Sequence, residues 1–383
     1  MPALDAASFF CPIRPLDLST IEAVGFDLDH TLALYDDHAV NLLAARETAP
    51  ILESAGHADA SFPTEDVTNT ARGLSMDLRH GNVIKIGADG GVVMARRGED
   101  WLSDGAIAES YDGHDPADEA TTWHVNSPFD IPTLWFFSTL GPRIRDPKDA
   151  AYAGRVLGDI RRSLDRSHTH GELKRHIMRD LSRFVSPAGK LVPGLERWKR
   201  EGKRLFVVTN SDPVYAGHVL DHVLGHDWQD LFDLVLTDAG KPRFFADAHS
   251  DRPPRESRVN AHVLDHAHAS HVEARLGVEP SRILYAGDNA RTDIAPARRR
   301  GWKTVHVVAE IAARDQATPW AGALLHRGTP TWFAKTIHDH ADSACARIDA
   351  FLALDPQSRV EPAEDFYARI AGSHRPDATG NAP

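Results

Sequence analysis

Short apolar runs recur along the chain, and segments with helical periodicity separate them. The runs cover residues 21–27, 204–210, 234–237, 282–288 and 304–308. Near-continuous apolar runs are typical of buried parallel strands, and their alternation with helices is typical of a doubly wound α/β domain. Ligands bind such sheets at the carboxyl ends of the strands. We therefore predict an α/β core with a doubly wound, Rossmann-like parallel sheet and a site at that edge.

A long segment, residues 38–184, interrupts this pattern after the first run. Residues 82–94 read as two short strands around an Asp-Gly-Gly turn and predict a hairpin, whereas the acidic stretch 103–122 indicates a surface loop. Periodic Leu and Ile over residues 150–184 predict helices. We interpret the whole insertion as an α/β cap domain that covers the strand ends.

The rest of the chain is predicted to form the catalytic core. A chain of 383 residues is compatible with two domains, because domains hold roughly 100–200 residues each. The core would be discontinuous and would comprise residues 1–37 and 185–371. Residues 372–383 are polar and contain Pro and Gly, so we predict a disordered tail there.

Composition restricts the classes of function. A formal net charge of −12 provides no basic field for nucleic acid. The two cysteines, Cys11 and Cys345, are too few for a disulfide framework and fit a reducing compartment. The chain has no signal-peptide pattern and no run near the ~20 apolar residues of a membrane span. We expect a cytoplasmic protein without nucleic-acid or membrane partners, and a homo-oligomer is compatible with the sequence.

The first apolar run ends in two carboxylates, Asp27 and Asp29. Carboxylates at a strand end can share Mg²⁺, which prefers oxygen ligands and substrate phosphate. Asp27 could then be a nucleophile and metal ligand, and Asp29 a general acid/base that protonates the leaving oxygen and later activates water. Taken alone, the pair is equally compatible with a solvated turn.

The second run ends in Thr209, Asn210 and Ser211. A hydroxyl and backbone N–H groups at a strand-to-helix turn can hold phosphate oxygens. The same residues are also compatible with a helix N-cap, formed by Ser211 or Asp212 before Pro213. Both interpretations can hold together.

Two later motifs supply a cation and more carboxylates. Lys241 could offset negative charge on the nucleophile and on the phosphoryl oxygens, although a surface lysine is the common alternative. Asp288 follows a buried run and could complete the magnesium shell. Asp293 could orient Lys241, or could instead complement a helix dipole.

The order of these four motifs resembles that of the haloacid dehalogenase superfamily. The likeness is stronger to its cytosolic purine 5′-nucleotidase family and extends over most of residues 20–310. The similar segments are 25–35, 72–77, 81–85, 209–212, 238–245 and 300–304. The resemblance implies hydrolysis of a nucleoside 5′-monophosphate, typically a purine such as IMP or GMP, with Mg²⁺ as cofactor. Some members also transfer the phosphoryl group to another nucleoside.

The resemblance also implies roles for individual residues. These roles are Asp27 as nucleophile and metal ligand, Asp29 as acid/base and as metal ligand through its backbone carbonyl, Thr209, Asn210 and Ser211 as phosphate contacts, Lys241 as charge stabiliser, and Asp288 as metal ligand.

Two other functions stay open. One is a phosphatase for another small phosphate ester in a specialised biosynthetic pathway, and the other is a catalytically inactive binding or regulatory protein.

Cap residues offer weaker signals. Arg143 and Arg145 could contact a second phosphate or the base edge, or could be surface charges. Aromatic residues at 123 and 135–137 could stack on a base, but we favour a core role. The chain has 22 histidines without a zinc-type spacing, so we interpret them as solvated or packing residues.

Overall fold

The structure is a computed structural model, and its contacts divide the chain into two compact units. The first unit comprises Met1–Tyr35, Val185–Ala313 and Thr336–Pro383, and the second comprises Asp36–Phe184 and Arg314–Lys335. The described residues are 9–57, 72–113, 115–116, 118–143, 150–170, 172–187, 191–246, 255–256, 263–312, 320, 322–362 and 365–373.

Twenty strands and thirteen α-helices occur in the described residues. The strands are β1 (Phe10–Pro12), β2 (Leu16–Asp17), β3 (Ala23–Phe26), β4 (Leu34–Tyr35), β5 (Leu74–Asp77), β6 (Asn82–Ile86), β7 (Val92–Arg97), β8 (Asp100–Trp101), β9 (Thr122–His124), β10 (Val185–Ser186), β11 (Arg204–Val208), β12 (Leu234–Thr237), β13 (Arg255–Glu256), β14 (Val263–Asp265), β15 (Ile283–Gly287), β16 (Lys303–Val307), β17 (Leu325–His326), β18 (Thr329–Pro330), β19 (Ser343–Cys345) and β20 (Arg359–Val360). The helices are α1 (Asp37–Ser54), α2 (Asp104–Tyr111), α3 (Ile131–Leu140), α4 (Ala150–His170), α5 (Leu173–Arg179), α6 (Leu181–Phe184), α7 (Leu191–Arg200), α8 (Pro213–Leu224), α9 (Ala269–Leu276), α10 (Ala295–Arg300), α11 (Trp332–His340), α12 (Ile348–Leu352) and α13 (Phe366–Ser373).

The first unit is built on a nine-stranded sheet of order β1-β19-β16-β15-β3-β11-β12-β14-β13. The seven inner strands pair in parallel, and the outermost pair at each edge is antiparallel. The five apolar runs of the sequence are β3, β11, β12, β15 and β16. The predicted α/β fold class is therefore confirmed, with antiparallel edge strands added.

Strand β3 lies at the centre of this sheet and is buried along its whole length. Gly25 occupies its third position because no side chain fits there. A Cβ atom on Gly25 would lie 2.3 Å from the ring of Phe206 and 2.9 Å from that of Tyr285. The glycine thus allows two large aromatic side chains to cover the strand that ends at Asp27.

The second unit contains a five-stranded antiparallel sheet of order β8-β7-β6-β5-β9. Strands β6 and β7 form the hairpin predicted over residues 82–94, with Gly90 at a φ of 90° in its turn. Residues 104–111 form α2, capped by the Ser103 hydroxyl, where the acidic composition had indicated a loop. The cap hydrogen bond satisfies a backbone N–H of the first turn, which the acidic character alone does not predict.

A late segment of the chain belongs to this second unit. Lys85 of β6 is 1% exposed, and its ammonium donates to the backbone carbonyls of Trp320, Gly322 and Leu325 at 2.7, 2.5 and 3.0 Å. Nearby, the ring of Trp332 stacks on that of His124 with centroids 4.0 Å apart. The sequence prediction had assigned residues 314–335 to the core, whereas these contacts join them to the insertion.

The outer limits of the predicted domains stay predictions. The predicted tail begins at residue 372, but α13 extends to Ser373, and the remainder of the tail lies outside the described residues.

Among the helices of the described part of the chain, none combines the length and apolar character needed to cross a membrane.

Candidate active site

Four polar motifs of the first unit lie at the carboxyl ends of neighbouring parallel strands. Asp27 follows β3, Thr209 follows β11, and Asp288 follows β15. Lys241 lies in the turn after β12. Because these strands are adjacent and parallel, their ends meet at one edge of the sheet.

Lys241 occupies the centre of this group. Its ammonium lies 2.7 Å from Asp27 Oδ1 and 2.6 Å from Asp293 Oδ1. The three side chains are 3%, 9% and 1% exposed respectively. The ammonium also donates to the Tyr285 hydroxyl at 3.2 Å. Asp293 therefore fixes Lys241 against Asp27, which is the geometry that an orienting carboxylate requires.

Burial and neighbouring charges shift the pKa values of Asp27 and Lys241 in opposite directions. Burial raises the pKa of Asp27 above its ordinary value, against the attraction of Lys241, and the carboxylates of Asp293 and Asp29 add to the increase. Burial alone would lower the pKa of Lys241, but the carboxylates of Asp27 and Asp293 raise it above its ordinary value. Lys241 is accordingly a permanent cation in the site.

Three buried carboxylates converge beside Lys241. Asp27, Asp288 and Asp293 each offer an oxygen, and these atoms all lie within 4.8 Å of one another. Three carboxylates around a single ammonium leave a surplus of negative charge when all are ionised. Hard oxygen donors with surplus negative charge suit Mg²⁺. Together, Asp27, Asp288 and Asp293 form a group of oxygen donors that could hold such an ion.

The turn after β11 is organised by hydrogen bonds of its own. The backbone N–H of Ser211 donates to Thr209 Oγ1 at 3.0 Å. The side-chain oxygen of Asn210 accepts the backbone N–H of Lys241 at 2.7 Å, and its amide nitrogen donates to the Lys241 carbonyl at 3.3 Å. Asn210 thus holds the backbone that carries Lys241, in addition to the phosphate contact predicted for it.

Helix α8 begins directly after this turn. Asp212 is its N-cap, since Asp212 Oδ1 accepts the backbone N–H of Tyr215 at 2.9 Å, and Pro213 occupies the first helical position. This resolves the choice between Ser211 and Asp212 as cap. Ser211 instead donates its hydroxyl to Asp29 Oδ2 at 3.0 Å.

The side chain of Asp29 is held from two sides. Its Oδ2 accepts from Ser211, and its Oδ1 accepts from the Tyr35 hydroxyl at 2.5 Å. The Tyr215 hydroxyl lies 3.0 Å from that of Tyr35. Neither tyrosine is among the site residues predicted from the sequence. Tyr35 closes the first motif and could have been noticed, but only the fold brings Tyr215 beside it.

The arginines predicted to contact substrate lie in the second unit. Arg143 ends a short 3-10 helix, Gly141–Arg143, and is exposed. Arg145 lies outside the described residues. The aromatic residues Trp135, Phe136 and Phe137 are buried in α3, which agrees with a role in packing. Within the described part of the chain, the carboxylates of Asp27, Asp288 and Asp293 are the one cluster suited to a metal ion, and it contains no histidine.

Comparisons with known proteins bear on the identity of this site. The profile of the 5′ nucleotidase family matches residues 10–319. The 5′-nucleotidase domain-containing protein 1 of Bos taurus is 27% identical over 339 residues, which cover 79% of this chain and 75% of the relative. The protein of the same name from Homo sapiens is 27% identical over 338 residues, which cover 79% and 74%.

Two solved structures show a partial likeness in shape. A HAD phosphatase from Thermococcus onnurineus has a TM-score of 0.32 at 16% identity, covering 79% of this chain and 91% of the other. A predicted phosphoglycolate phosphatase from Haemophilus somnus has a TM-score of 0.33 at 16% identity, covering 75% and 85%.

The family match covers well over half of the chain. It confirms the relationship that the motifs predicted, and with it the predicted enzyme class, a phosphoric monoester hydrolase. The chain belongs to the 5′ nucleotidase family.

Proposed function

We propose that this protein is a magnesium-dependent phosphomonoesterase that hydrolyses nucleoside 5′-monophosphates, with purine nucleotides such as IMP or GMP favoured. The observation that carries the proposal is the buried contact of Asp27 with Lys241, beside Asp288, at the carboxyl edge of the sheet. A carboxylate next to a fixed cation and a metal-binding carboxylate is suited to nucleophilic attack on phosphorus.

The reaction would proceed in two displacements. In the first, a carboxylate oxygen of Asp27 bonds to phosphorus while the bond from phosphorus to the ester oxygen breaks, and Asp29 gives its proton to the departing nucleoside oxygen. In the second, water attacks the phospho-Asp27 intermediate and gives a proton to Asp29. The bond between phosphorus and Asp27 then breaks, which releases phosphate and restores both carboxyl groups.

The remaining site residues would stabilise the transferred group. Lys241 offsets charge on the phosphoryl oxygens, and its position is fixed by Asp293 at 2.6 Å. Thr209 and the backbone N–H groups of its turn would bind phosphate oxygens. Mg²⁺, held by Asp27, Asp288 and the backbone carbonyl of Asp29, would neutralise developing negative charge on the phosphate.

The proposal has one alternative in substrate class. The alternative is a small phosphate ester other than a nucleotide, since the curated relatives are 27% identical. A panel of IMP, GMP, AMP, pyrimidine nucleotides and sugar phosphates would separate the two. We also propose a reducing, cytoplasmic location, in keeping with Cys11 and Cys345, which are buried and unpaired.

Asp27→Asn tests the mechanism. We expect turnover of the preferred substrate to be abolished, because the amide is a poor nucleophile, while the circular dichroism spectrum stays unchanged. Phosphate release by the unmodified protein should also stop in EDTA and return with added Mg²⁺. Near-normal turnover by Asp27→Asn would refute the phospho-Asp27 route. A protein that releases no phosphate from any ester of the panel would instead be a binding or regulatory protein.

A further inference from the structure

The two tyrosines beside Asp29 form a chain of hydroxyl groups. Tyr35 donates to Asp29 Oδ1 at 2.5 Å, and the hydroxyl oxygens of Tyr35 and Tyr215 are 3.0 Å apart. A phenol has a single hydrogen to donate. Since Tyr35 gives its hydrogen to Asp29, the hydrogen between the two phenols must come from Tyr215. The direction of donation is therefore from Tyr215 to Tyr35 to Asp29.

Both phenols keep their protons over the working pH range. Burial raises the pKa of Tyr35, and the negative charge of Asp29 raises it further. Burial likewise raises the pKa of Tyr215, again with a contribution from Asp29. Tyr35 can thus always donate to Asp29, and Tyr215 can always donate to Tyr35.

Two donors from separate parts of the chain reach the Asp29 carboxylate, and Tyr215 supports one of them. Tyr35 ends β4, whose pairing with β10 aligns Tyr35 with Val185. Tyr215 lies in the first turn of α8, where its backbone N–H is fixed by the Asp212 cap. Ser211 donates to the other oxygen of Asp29 at 3.0 Å. Donors from different directions restrict both torsions of the Asp29 side chain, which hydrogen bonds from a single residue cannot do as well.

We propose that Tyr35 and Tyr215 are positioning residues that hold the Asp29 carboxyl group in the orientation for proton transfer to the leaving oxygen. The inference rests on the proposed function and extends it to two residues outside the four motifs. Tyr35 acts directly on Asp29, and Tyr215 acts through Tyr35. Neither needs to contact the substrate.

This role predicts a dependence on the leaving group. Departure of a nucleoside 5′-oxygen, an alkoxide, needs a proton from the acid, whereas 4-nitrophenolate leaves without much assistance. A misoriented Asp29 should therefore slow phosphoryl transfer to Asp27 from a nucleotide more than from 4-nitrophenyl phosphate. The ratio kcat/KM reports this first step, whereas hydrolysis of phospho-Asp27 is common to both substrates. A general loss of structure would slow both substrates alike.

The test compares Tyr35→Phe, Tyr215→Phe and the double variant with the unmodified protein. For the best nucleotide substrate, we expect kcat to fall about 10- to 100-fold in Tyr35→Phe with KM changed less than about threefold. Tyr215→Phe should lose about 3- to 10-fold, and adding it to Tyr35→Phe should cost nothing more, because its effect passes through Tyr35. With 4-nitrophenyl phosphate, the losses of kcat/KM should be at least about fivefold smaller.

Tyr367→Phe is the matched control. Tyr367 lies on α13, which packs near the edge strand β1, four strands from β3, and its ring stacks on that of His338. Its substitution should leave both substrates unaffected.

Several outcomes would overturn the inference: equal losses of kcat/KM on both substrates, a loss confined to KM, additive effects of the two substitutions, or a faster Tyr35→Phe enzyme. The last result would mean that the tyrosines hold Asp29 away from its substrate. None of these outcomes affects the proposed function, which depends on whether Asp27→Asn is inactive and the unmodified protein releases phosphate.

Discussion

At the scale of single residues, Lys241 determines the charge balance of the site. Its ammonium contacts two carboxylates that are almost completely buried, Asp27 and Asp293. Buried carboxylates are costly when ionised unless a cation or hydrogen bonds compensate them. Lys241 therefore stabilises the ionised form of Asp27, and it would also offset the negative charge that develops during phosphoryl transfer.

Lys241→Met should keep the volume of the side chain and remove its charge. We expect kcat for the preferred substrate to fall about 10²- to 10³-fold, because one fixed electrostatic contact in a buried site is lost. Steady-state kinetics at saturating Mg²⁺ provide the measurement. Lys199→Met is a suitable control, since Lys199 lies on α7 and donates to the Asp230 carbonyl, and it should retain normal kcat. Activity of Lys241→Met within threefold of normal would contradict the assigned role.

At the scale of elements, the central strand illustrates what a sequence can and cannot predict. The apolar runs predicted β3, β11, β12, β15 and β16, because a strand that is buried on both faces consists almost entirely of apolar residues. The polar residues that follow β3, β11, β12 and β15 predicted the candidate site, because parallel strands end at one edge.

Local sequence patterns do not predict contacts between residues that are distant along the chain. No local pattern links Tyr215 to Asp29, and their hydrogen-bonded connection through Tyr35 arises from the pairing of β4 with β10 and the entry angle of α8. The same holds for Lys85, whose carbonyl partners lie more than 230 residues away. Its charge would have predicted an exposed position.

Gly25→Ala should destabilise the protein although it adds a single methyl group. That methyl group would have to displace the rings of Phe206 and Tyr285, and overpacking of this kind costs about 1–3 kcal/mol. Thermal unfolding should show a lower Tm. Gly217→Ala in α8 is the opposite case, because its Cβ would meet no atom within 4 Å, and a helical alanine gains about 0.5–1 kcal/mol over glycine. An equal change in Tm for both variants would disprove the packing argument.

The start of α3 should give the second unit a pH-dependent stability. Burial raises the pKa of Asp130 to about 6, despite a hydrogen bond from the Ser127 backbone N–H at 3.1 Å. Because this pKa lies above that of an unfolded aspartate, near 3.9, ionisation favours the unfolded chain. The contribution of Asp130 to stability therefore falls as pH rises from about 4 to 6 and stays low above that range.

Asp130→Asn should remove this pH dependence while its side-chain oxygen still accepts from Ser127. The shift of about two pKa units corresponds to at most about 3 kcal/mol, and we expect about 1 kcal/mol because the side chain is only half-buried. The Tm of the variant should match the unmodified protein at pH 4 and exceed it by about 2–4 °C at pH 7.5. A constant difference across this range would rule out the titration of Asp130 as its cause.

At the scale of the whole molecule, each unit is assembled from separate stretches of the chain. The second unit needs residues 314–335 in addition to the insertion at 36–184. Lys85 is one polar link, with three carbonyl acceptors in that late segment. The aromatic contact of His124 with Trp332 adds a second link.

Lys85→Met should loosen the late segment within the second unit. The buried carbonyls would lose a charged donor, and hydrogen bonds to charged groups contribute about 1.5–3 kcal/mol each. We expect a lower Tm and faster cleavage by a protease near residues 322–328, detected by mass spectrometry. Lys335→Met, at an exposed position on α11, should change neither. Unchanged proteolysis of Lys85→Met would show that apolar packing alone holds the segment.

The discontinuity of both units has a consequence for synthesis on the ribosome. Strand β1 pairs with β19, and β2 pairs with β20, so the first unit closes only with residues near 345–360. The second unit is complete only after residue 335 has been synthesised. At about 5–20 residues per second, the earliest strands would remain without their partners for roughly 17 to 70 s. Nascent chains of this protein should therefore depend on holding chaperones until translation is nearly finished.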